Sequence, residues 1–188
     1  MRVIAGDFKG RRLVAPKGAD VRPTADRVKE AIFSMVQPEL ENAVCLDMFA
    51  GTGALGIEAL SRGAARVYFC DNASASLAAL EKNLDICHAE GRRTVVTKGD
   101  WHIAVANITE KCNLVFIDAP YEMCEYYPQI LKALAVHGVL EAGAGIVIER
   151  DAQKGGYGLP DAFVKVREKR YGGTCVDLLI YGSIGEAE

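Results

Sequence analysis

No apolar run in the 188 residues approaches the roughly 20 needed to span a bilayer. The opening residues, Met1-Arg2-Val3-Ile4-Ala5-Gly6, lack the apolar core of a secretory leader, so a cytoplasmic protein with no membrane partner is expected. Histidine is scarce: His88, His102 and His137 lie far apart and read as surface or helix-end residues. The six cysteines include no Cys-x-x-Cys pair, which argues against a zinc site, and three of them sit inside apolar runs as small hydrophobes. Internal repeats and low-complexity tracts are absent. What remains is ordinary globular composition, half hydrophobic and a quarter charged, in a chain long enough for one domain with a sizeable core.

The formal net charge of −3 hides an asymmetry. Residues 1–30 hold eight basic and four acidic side chains, and the remainder holds 14 basic and 21 acidic, so a basic arm is joined to an acidic body. Such an arm suits an anionic partner such as nucleic acid, although a charge run of this kind also serves simply as a solvated hairpin. Two short strands are expected over 2–4 and 11–15, with Gly6 to Gly10 as the turn. Thr24 is placed to cap a helix that ends before Pro38. Val28, Ala31, Ile32 and Met35 form its apolar face, and Arg27, Lys29 and Glu30 its solvated one.

From residue 43 onward strands and helices alternate. Strands are expected over 43–48, 66–71, 94–98, 113–118 and 145–149, and helices over 54–62, 73–87, 101–108 and 124–136. The last two strands, 163–170 and 175–182, flank Gly172-Gly173 and form a hairpin. Repeated strand–helix units imply a parallel sheet covered on both faces, and the terminal hairpin makes one strand antiparallel. The expected fold is α/β and Rossmann-like: a mostly parallel seven-stranded sheet of the class I methyltransferase type. Residues 1–38 would form a basic hairpin and helix extending the domain of residues 39–188.

Between the first of these strands and its helix lies Asp47-Met48-Phe49-Ala50-Gly51-Thr52-Gly53-Ala54-Leu55-Gly56, a Gly-x-Gly-x-x-Gly in a strand–turn–helix setting. This spacing serves NAD, FAD and S-adenosylmethionine (SAM) sites alike, and a purely structural turn as well. Asp47 discriminates among them. A carboxylate beside the helix N-terminus repels the pyrophosphate of a dinucleotide, whereas it attracts the sulfonium and α-ammonium of SAM.

Carboxylates also follow three further strands: Asp71, Asp100 and Asp118. Ligands in such folds lie beyond the carboxyl ends of the strands. Asp71 lies near the spacing expected for a residue that holds ribose hydroxyls. Asp100 is placed to accept from the adenine amino group, with Trp101 as a stacking or packing neighbour. A single Asp at a strand end is usually a turn former or helix cap, but four in register with a glycine loop are harder to explain that way.

Asp118-Ala119-Pro120-Tyr121 resembles the Asp/Asn-Pro-Pro-Tyr/Phe motif of methyltransferases acting on exocyclic amines of bases, with Ala119 standing where the first proline is expected. The lone pair of such an amine is delocalised into the ring. A carboxylate and a backbone carbonyl that accept its hydrogens steer that pair toward a methyl donor, and an aromatic ring stacks on a base drawn out of its helix. The carbonyl of Ala119 remains available, and Pro120 still drives Ala119 toward an extended conformation.

Together with these motifs, several blocks carry a wider resemblance. They are Met1-Arg2-Val3-Ile4-x-Gly6, Lys9-Gly10-Arg11-Arg12-Leu13 with Pro16, and Arg22-Pro23-Thr24-x-Asp26-Arg27-Val28-Lys29-Glu30-Ala31-Ile32-Phe33. The strongest runs from Leu46 to Ala64, and Arg170-Tyr171-Gly172 adds to it. The chain resembles the bacterial 16S rRNA guanine-N2 methyltransferases of the RsmD type over nearly its whole length. The resemblance implies that Asp47, Gly51, Gly53, Asp71 and Asp100 bind SAM, with Phe49, Thr52, Asn72 and Trp101 beside them. It implies that Asp118, Ala119, Pro120 and Tyr121 hold the guanine. The basic arm, with Lys9, Arg11, Arg12, Lys17, Arg22 and Arg27, would grip ribosomal RNA, free or in a small-subunit particle, and the protein would act as a monomer without metal.

Three other readings compete. A metal-dependent O-methyltransferase for a small molecule needs further oxygen ligands after the strand over 145–149, where Arg150-Asp151-Ala152 stands instead. A non-catalytic RNA-binding protein on the same fold is favoured only by Ala119. An NAD-dependent oxidoreductase is disfavoured by Asp47 and the terminal hairpin.

Overall fold

Seven strands run in the order β3-β2-β1-β4-β5-β7-β6 in a computed structural model that describes residues 1–16, 26–89, 91 and 93–182. The elements are α1 (Asp26–Met35), β1 (Val44–Asp47), α2 (Ala54–Ser61), β2 (Arg66–Asp71), α3 (Ser74–Cys87), β3 (Thr94–Lys98) and α4 (Trp101–Ala106). They continue with β4 (Cys112–Ile117), α5 (Tyr127–Val136), β5 (Leu140–Asp151), β6 (Phe163–Tyr171) and β7 (Thr174–Tyr181). Strands β1 to β5 pair in parallel, and β7 joins β5 and β6 antiparallel. This is the class I methyltransferase sheet with its terminal hairpin. Chain order reverses between β1 and β4, which opens a crevice beyond their carboxyl ends.

Strand alternation divides the core into two layers. Cys45, Val67, Phe69, Leu114, Phe116, Val147 and Val176 face the side covered by α1, α2 and α3. Leu46, Tyr68, Cys70, Val115, Ile117, Ile146 and Ile148 face α4 and α5. The faces read from periodicity are the buried ones: Leu77, Leu80, Leu84 and Cys87 on α3, and Tyr127, Ile130, Leu131 and Leu134 on α5. Among the described residues no helix is long and apolar enough to cross a membrane.

Some expectations are corrected. The helix expected over 124–136 is split: a 3-10 turn covers Tyr121–Tyr126, and α5 starts at Tyr127 with Pro128 in its first turn, where the missing N–H costs nothing. Helix α4 stops at Ala106, where Asn107 leaves helical geometry. Strand β5 is far longer than the expected 145–149, because antiparallel pairing with β7 carries it to Asp151 and a parallel contact with β4 begins at Leu140.

The arm is a hairpin, but its strand ladder is reduced to one bridge, Arg2 with Arg12. Many of its amides are satisfied by the body of the protein instead. Ile4 N–H and Ala5 N–H donate to the Glu58 carboxylate at 2.8 and 3.0 Å, Phe8 N–H to Ser61 Oγ at 2.9 Å and Val14 N–H to Asn83 Oδ1 at 2.8 Å. Val3, Phe8 and Leu13 are buried in the same core layer as α1 and α2. Lys29, expected on the solvated face of α1, is fully buried: its ammonium lies 3.1 Å from Glu58 and donates to the Arg2 carbonyl at 2.5 Å. The reason is tertiary, since the hairpin crosses over this side of α1 and a pattern within one helix cannot register that. The expected cap Thr24 and the loop after Pro16 lie outside the described residues.

Candidate active site

The apolar run of β1 ends at Asp47, and the chain then turns back into α2 through Gly51 and Gly53, both at positive φ (54° and 78°). The two glycines serve different ends. A Cβ on Gly51 would meet nothing within 4 Å, because this residue borders an open cavity. A Cβ on Gly53 would sit 2.3 Å from a Leu80 methyl, so this glycine lets the turn press against α3. Gly56, one turn into α2, allows the helix to lie on the Phe69 ring, which an added Cβ would approach to 2.2 Å.

The cavity, of about 600 Å³, lies over the carboxyl ends of the parallel strands. It gathers Asp47, Phe49, Gly51, Thr52, Asp71, Asn72, Asp100, Trp101, Asp118, Ala119 and Pro120, nearly all the residues singled out in the sequence. Gly53 stands behind the wall and shapes it. Tyr121 opens the 3-10 turn after Pro120, but its side chain lies outside the described residues, as do Lys17 and Arg22 entirely.

Each carboxylate is held by local geometry. Asp47 is almost wholly buried, and Gly56 N–H donates to its Oδ2 at 2.9 Å. Burial pushes its pKa up to about 7, the Gly56 amide opposes that rise, and the nearby charges of Asp118 and Asp71 add to it. Asp71 ties the glycine loop to the start of α3: Gly51 N–H donates to Oδ2 and Ala73 N–H to Oδ1, each at 2.8 Å. Asp100 caps α4, accepting from His102 N–H and Ile103 N–H at 3.0 and 3.2 Å, and these bonds hold its pKa below the usual carboxylate value. Those bonds all fall on Oδ1, so capping engages one edge of the carboxylate. Trp101 is mostly buried in the α4 and α5 layer and stacks on His102 at 3.5 Å, so packing fixes its ring at the cavity edge. Asp118 follows β4 and is half-buried; Pro120, at φ −48° and ψ 139°, keeps the next segment extended before the turn.

Sequence reading missed several lining residues. Met1 and Ala15 come from the arm, Val28 from α1, and Tyr171 and Thr174 from the β6–β7 hairpin, all brought in by tertiary packing. Glu122, Met123 and Glu149 also line the cavity. Glu149 carried a usable signal, since it ends the apolar run Gly145 to Ile148 as the other carboxylates end theirs.

The chemical character of the cavity follows from this inventory. Its described lining contains six carboxylates, from Asp47, Asp71, Asp100, Asp118, Glu122 and Glu149, and no lysine, arginine or histidine. Such a lining repels phosphate and favours a ligand with cationic groups. Glu168, Cys175 and Asp177 place ligand-type atoms within 4.8 Å of one another, but Arg150 and Lys165 engage both carboxylates there, so the group reads as an ion-pair network joining β5, β6 and β7. All six cysteines are free; burial raises the thiols of Cys45, Cys70 and Cys112, which suits packing and not reactivity.

A family model described as "Conserved hypothetical protein 95" matches residues 1–180. The chain is 34% identical over 188 residues to "Ribosomal RNA small subunit methyltransferase D" of Escherichia coli (strain K12), covering 100% of this chain and 93% of that protein. It is 37% identical over 187 residues to "Putative rRNA methyltransferase YlbH" of Bacillus subtilis (strain 168), covering 94% and 96%. The solved structure titled "Putative methyltransferase yhhF from Escherichia coli" matches with a TM-score of 0.85 at 33% identity, over 97% of this chain and 98% of that one.

Proposed function

The chain belongs to the conserved hypothetical protein 95 family, and from that membership and its cavity we propose that it transfers a methyl group from SAM to the exocyclic N2 of a guanine in 16S rRNA of the small ribosomal subunit. The observation that carries this reading is the cavity that joins the glycine loop to Asp118-Ala119-Pro120, with no basic side chain in its described lining. Bound SAM supplies an electrophilic methyl on a positively charged sulfur. The residues fit it: Gly51 offers an open backbone edge, Asp71 and Asp100 would accept from ribose and adenine, and Asp47 would supply negative charge for the amino-acid and sulfonium end. Phe49, Thr52, Asn72 and Trp101 complete the wall.

Asp118 and the Ala119 carbonyl accept the two hydrogens of guanine N2 and turn its lone pair toward the methyl. As the N–C bond forms, positive charge develops on the nitrogen. Asp118 stabilises that charge and takes the surplus proton or hands it to water. By resemblance to the Asp/Asn-Pro-Pro-Tyr/Phe motif, Tyr121 would stack on the flipped base. No step requires a metal ion, so activity should survive chelation. The reaction is tested by incubating the protein with small-subunit RNA and methyl-labelled SAM. N2-methylguanosine is the expected labelled nucleoside, and label in any other nucleoside contradicts the reading.

Cofactor binding has two expected signatures. Asp71→Ala removes a charged acceptor from the ribose site and the anchor of Gly51, so it should weaken SAM binding by about 1.5–3 kcal/mol in a calorimetric titration. Wild-type affinity would reduce Asp71 to a turn residue. The second signature follows from Asp47. Its raised pKa means that the ligand-free protein is favoured while Asp47 is protonated, and that contribution is lost as pH rises from about 4 to about 7. A cationic ligand needs the ionised form. SAM affinity should therefore increase about tenfold between pH 6 and pH 8, and Asp47→Asn should flatten that profile.

For RNA, Lys9, Arg12 and Arg27 are exposed, whereas Arg11 is half-buried, donates to the Ile86 carbonyl and lies over the Phe8 ring. Lys9, Arg12 and Arg27 are therefore the better candidates for phosphate contacts. Neutralising all three should flatten the salt dependence of RNA binding by roughly one unit of slope per lost contact and leave SAM affinity unchanged. An unchanged slope would make the arm a solvated hairpin. We further place the protein in the cytoplasm, where this substrate is made.

A further inference from the structure

Glu149 has no assigned part in this account, yet the sheet aims it at the same place as Asp118. Ile117 on β4 pairs with Ile148 on β5, so the next residues, Asp118 and Glu149, are neighbours about 4.8 Å apart along the strand-to-strand direction. Alternation puts them on one face. Phe116 and Val147 belong to the core layer under α1 to α3, whereas Ile117, Ala119 and Ile148 belong to the opposite layer. Asp118 and Glu149 therefore continue the Phe116 and Val147 row into the cavity, and both line it. Glu149 is largely buried at 7% exposure, and its main chain is fixed by the Tyr127 hydroxyl, which donates to its carbonyl at 3.1 Å. A carboxylate at this depth is held by the sheet on one side and lines the cavity on the other.

We propose that Glu149 is the residue that distinguishes guanine from other bases carrying a 2-amino group, by accepting the N1–H while Asp118 and the Ala119 carbonyl accept from N2. The inference rests on the guanine-N2 reading above and names the recognition element of that same site. Guanine presents N1–H and N2–H₂ side by side as donors. Two acceptors on adjacent strands match that pair. A purine with an unprotonated N1 turns a lone pair toward the Glu149 carboxylate, and a site built to accept a hydrogen there rejects it.

The test uses a small-subunit rRNA fragment that the wild-type protein methylates. It is prepared with guanosine or with 2-aminopurine at the methylated position; both carry the 2-amino group, but 2-aminopurine has no N1–H. Single-turnover rates are compared for wild type and Glu149→Gln, with SAM titration and thermal melting of both proteins alongside. Wild type should favour guanosine. The Glu149→Gln amide can turn its carbonyl toward the N1–H of guanosine or its NH2 toward the bare N1 of 2-aminopurine, so the 2-aminopurine rate rises relative to the guanosine rate and the guanosine preference drops by roughly 10- to 100-fold. Intrinsic differences between the two amines cancel, because the same pair of RNAs is used with both proteins. An unchanged ratio overturns the proposal, whether both rates persist or fall together, and the latter would make Glu149 a structural residue. Equal wild-type rates on the two RNAs also overturn it while leaving guanine-N2 transfer intact. If wild type labels no guanine N2 at all, the underlying reading fails and this inference with it.

Discussion

Asp118→Asn should lower the single-turnover rate of methyl transfer to small-subunit RNA by roughly 10²- to 10⁴-fold while SAM binds with nearly wild-type affinity. The substitution keeps the size and shape of the side chain but removes its charge. The lost charge matters more in the transition state than before it, because positive charge appears on N2 only as the methyl arrives. The surroundings amplify the effect: Asp118 is half-buried, in a cavity whose described lining offers no basic side chain to compensate. The Asn amide also presents N–H donors where N2 needs an acceptor. A variant that transfers methyl at the wild-type rate, or that fails only because SAM no longer binds, would remove Asp118 from the guanine site.

The second large effect concerns stability. Glu58→Ala should destabilise the protein by about 3–5 kcal/mol, because it leaves the ammonium of Lys29 buried without a counter-charge. Neither side chain of this pair has any exposed surface. Glu58 also accepts from the amides of Ile4 and Ala5 and from Arg62 Nε at 2.8 Å, so the change strips partners from the arm as well. For a chain of this length the thermal midpoint should fall by about 6–20 °C. Glu58→Gln combined with Lys29→Met removes both charges and keeps an acceptor for the arm amides, so it should recover most of the loss. If the single and double variants melt together, the buried pair is not what holds the arm. Because Met1 and Ala15 of the arm line the cavity, the same network joins the proposed RNA-binding arm to the proposed cofactor site.

The features legible in the sequence were those with a local cause. The glycines of residues 51–56 and the Asp that precedes them occupy one strand–turn–helix, and periodicity alone exposed the buried faces of α3 and α5. Strand-end carboxylates were visible because every parallel strand in this fold delivers its last side chains to one edge. What escaped depends on contacts between distant segments. Lys29 looks solvated within α1 and is buried only because the hairpin crosses it. The 3-10 turn before α5 and the full length of β5 are set by Pro128 and by pairing with β7. Met1, Tyr171 and Thr174 reach the cavity through packing that no spacing encodes. Glu149 was within reach of the strand-end argument, since it follows the apolar run Gly145 to Ile148 just as the other carboxylates follow theirs.

The most direct measurement is mass analysis of small-subunit rRNA nucleosides from cells with and without this protein. The account predicts that one N2-methylguanosine disappears in its absence, and that the wild-type gene restores it whereas the Asp118→Asn variant does not. An unchanged N2-methylguanosine content, or loss of a different modified nucleoside, would contradict it.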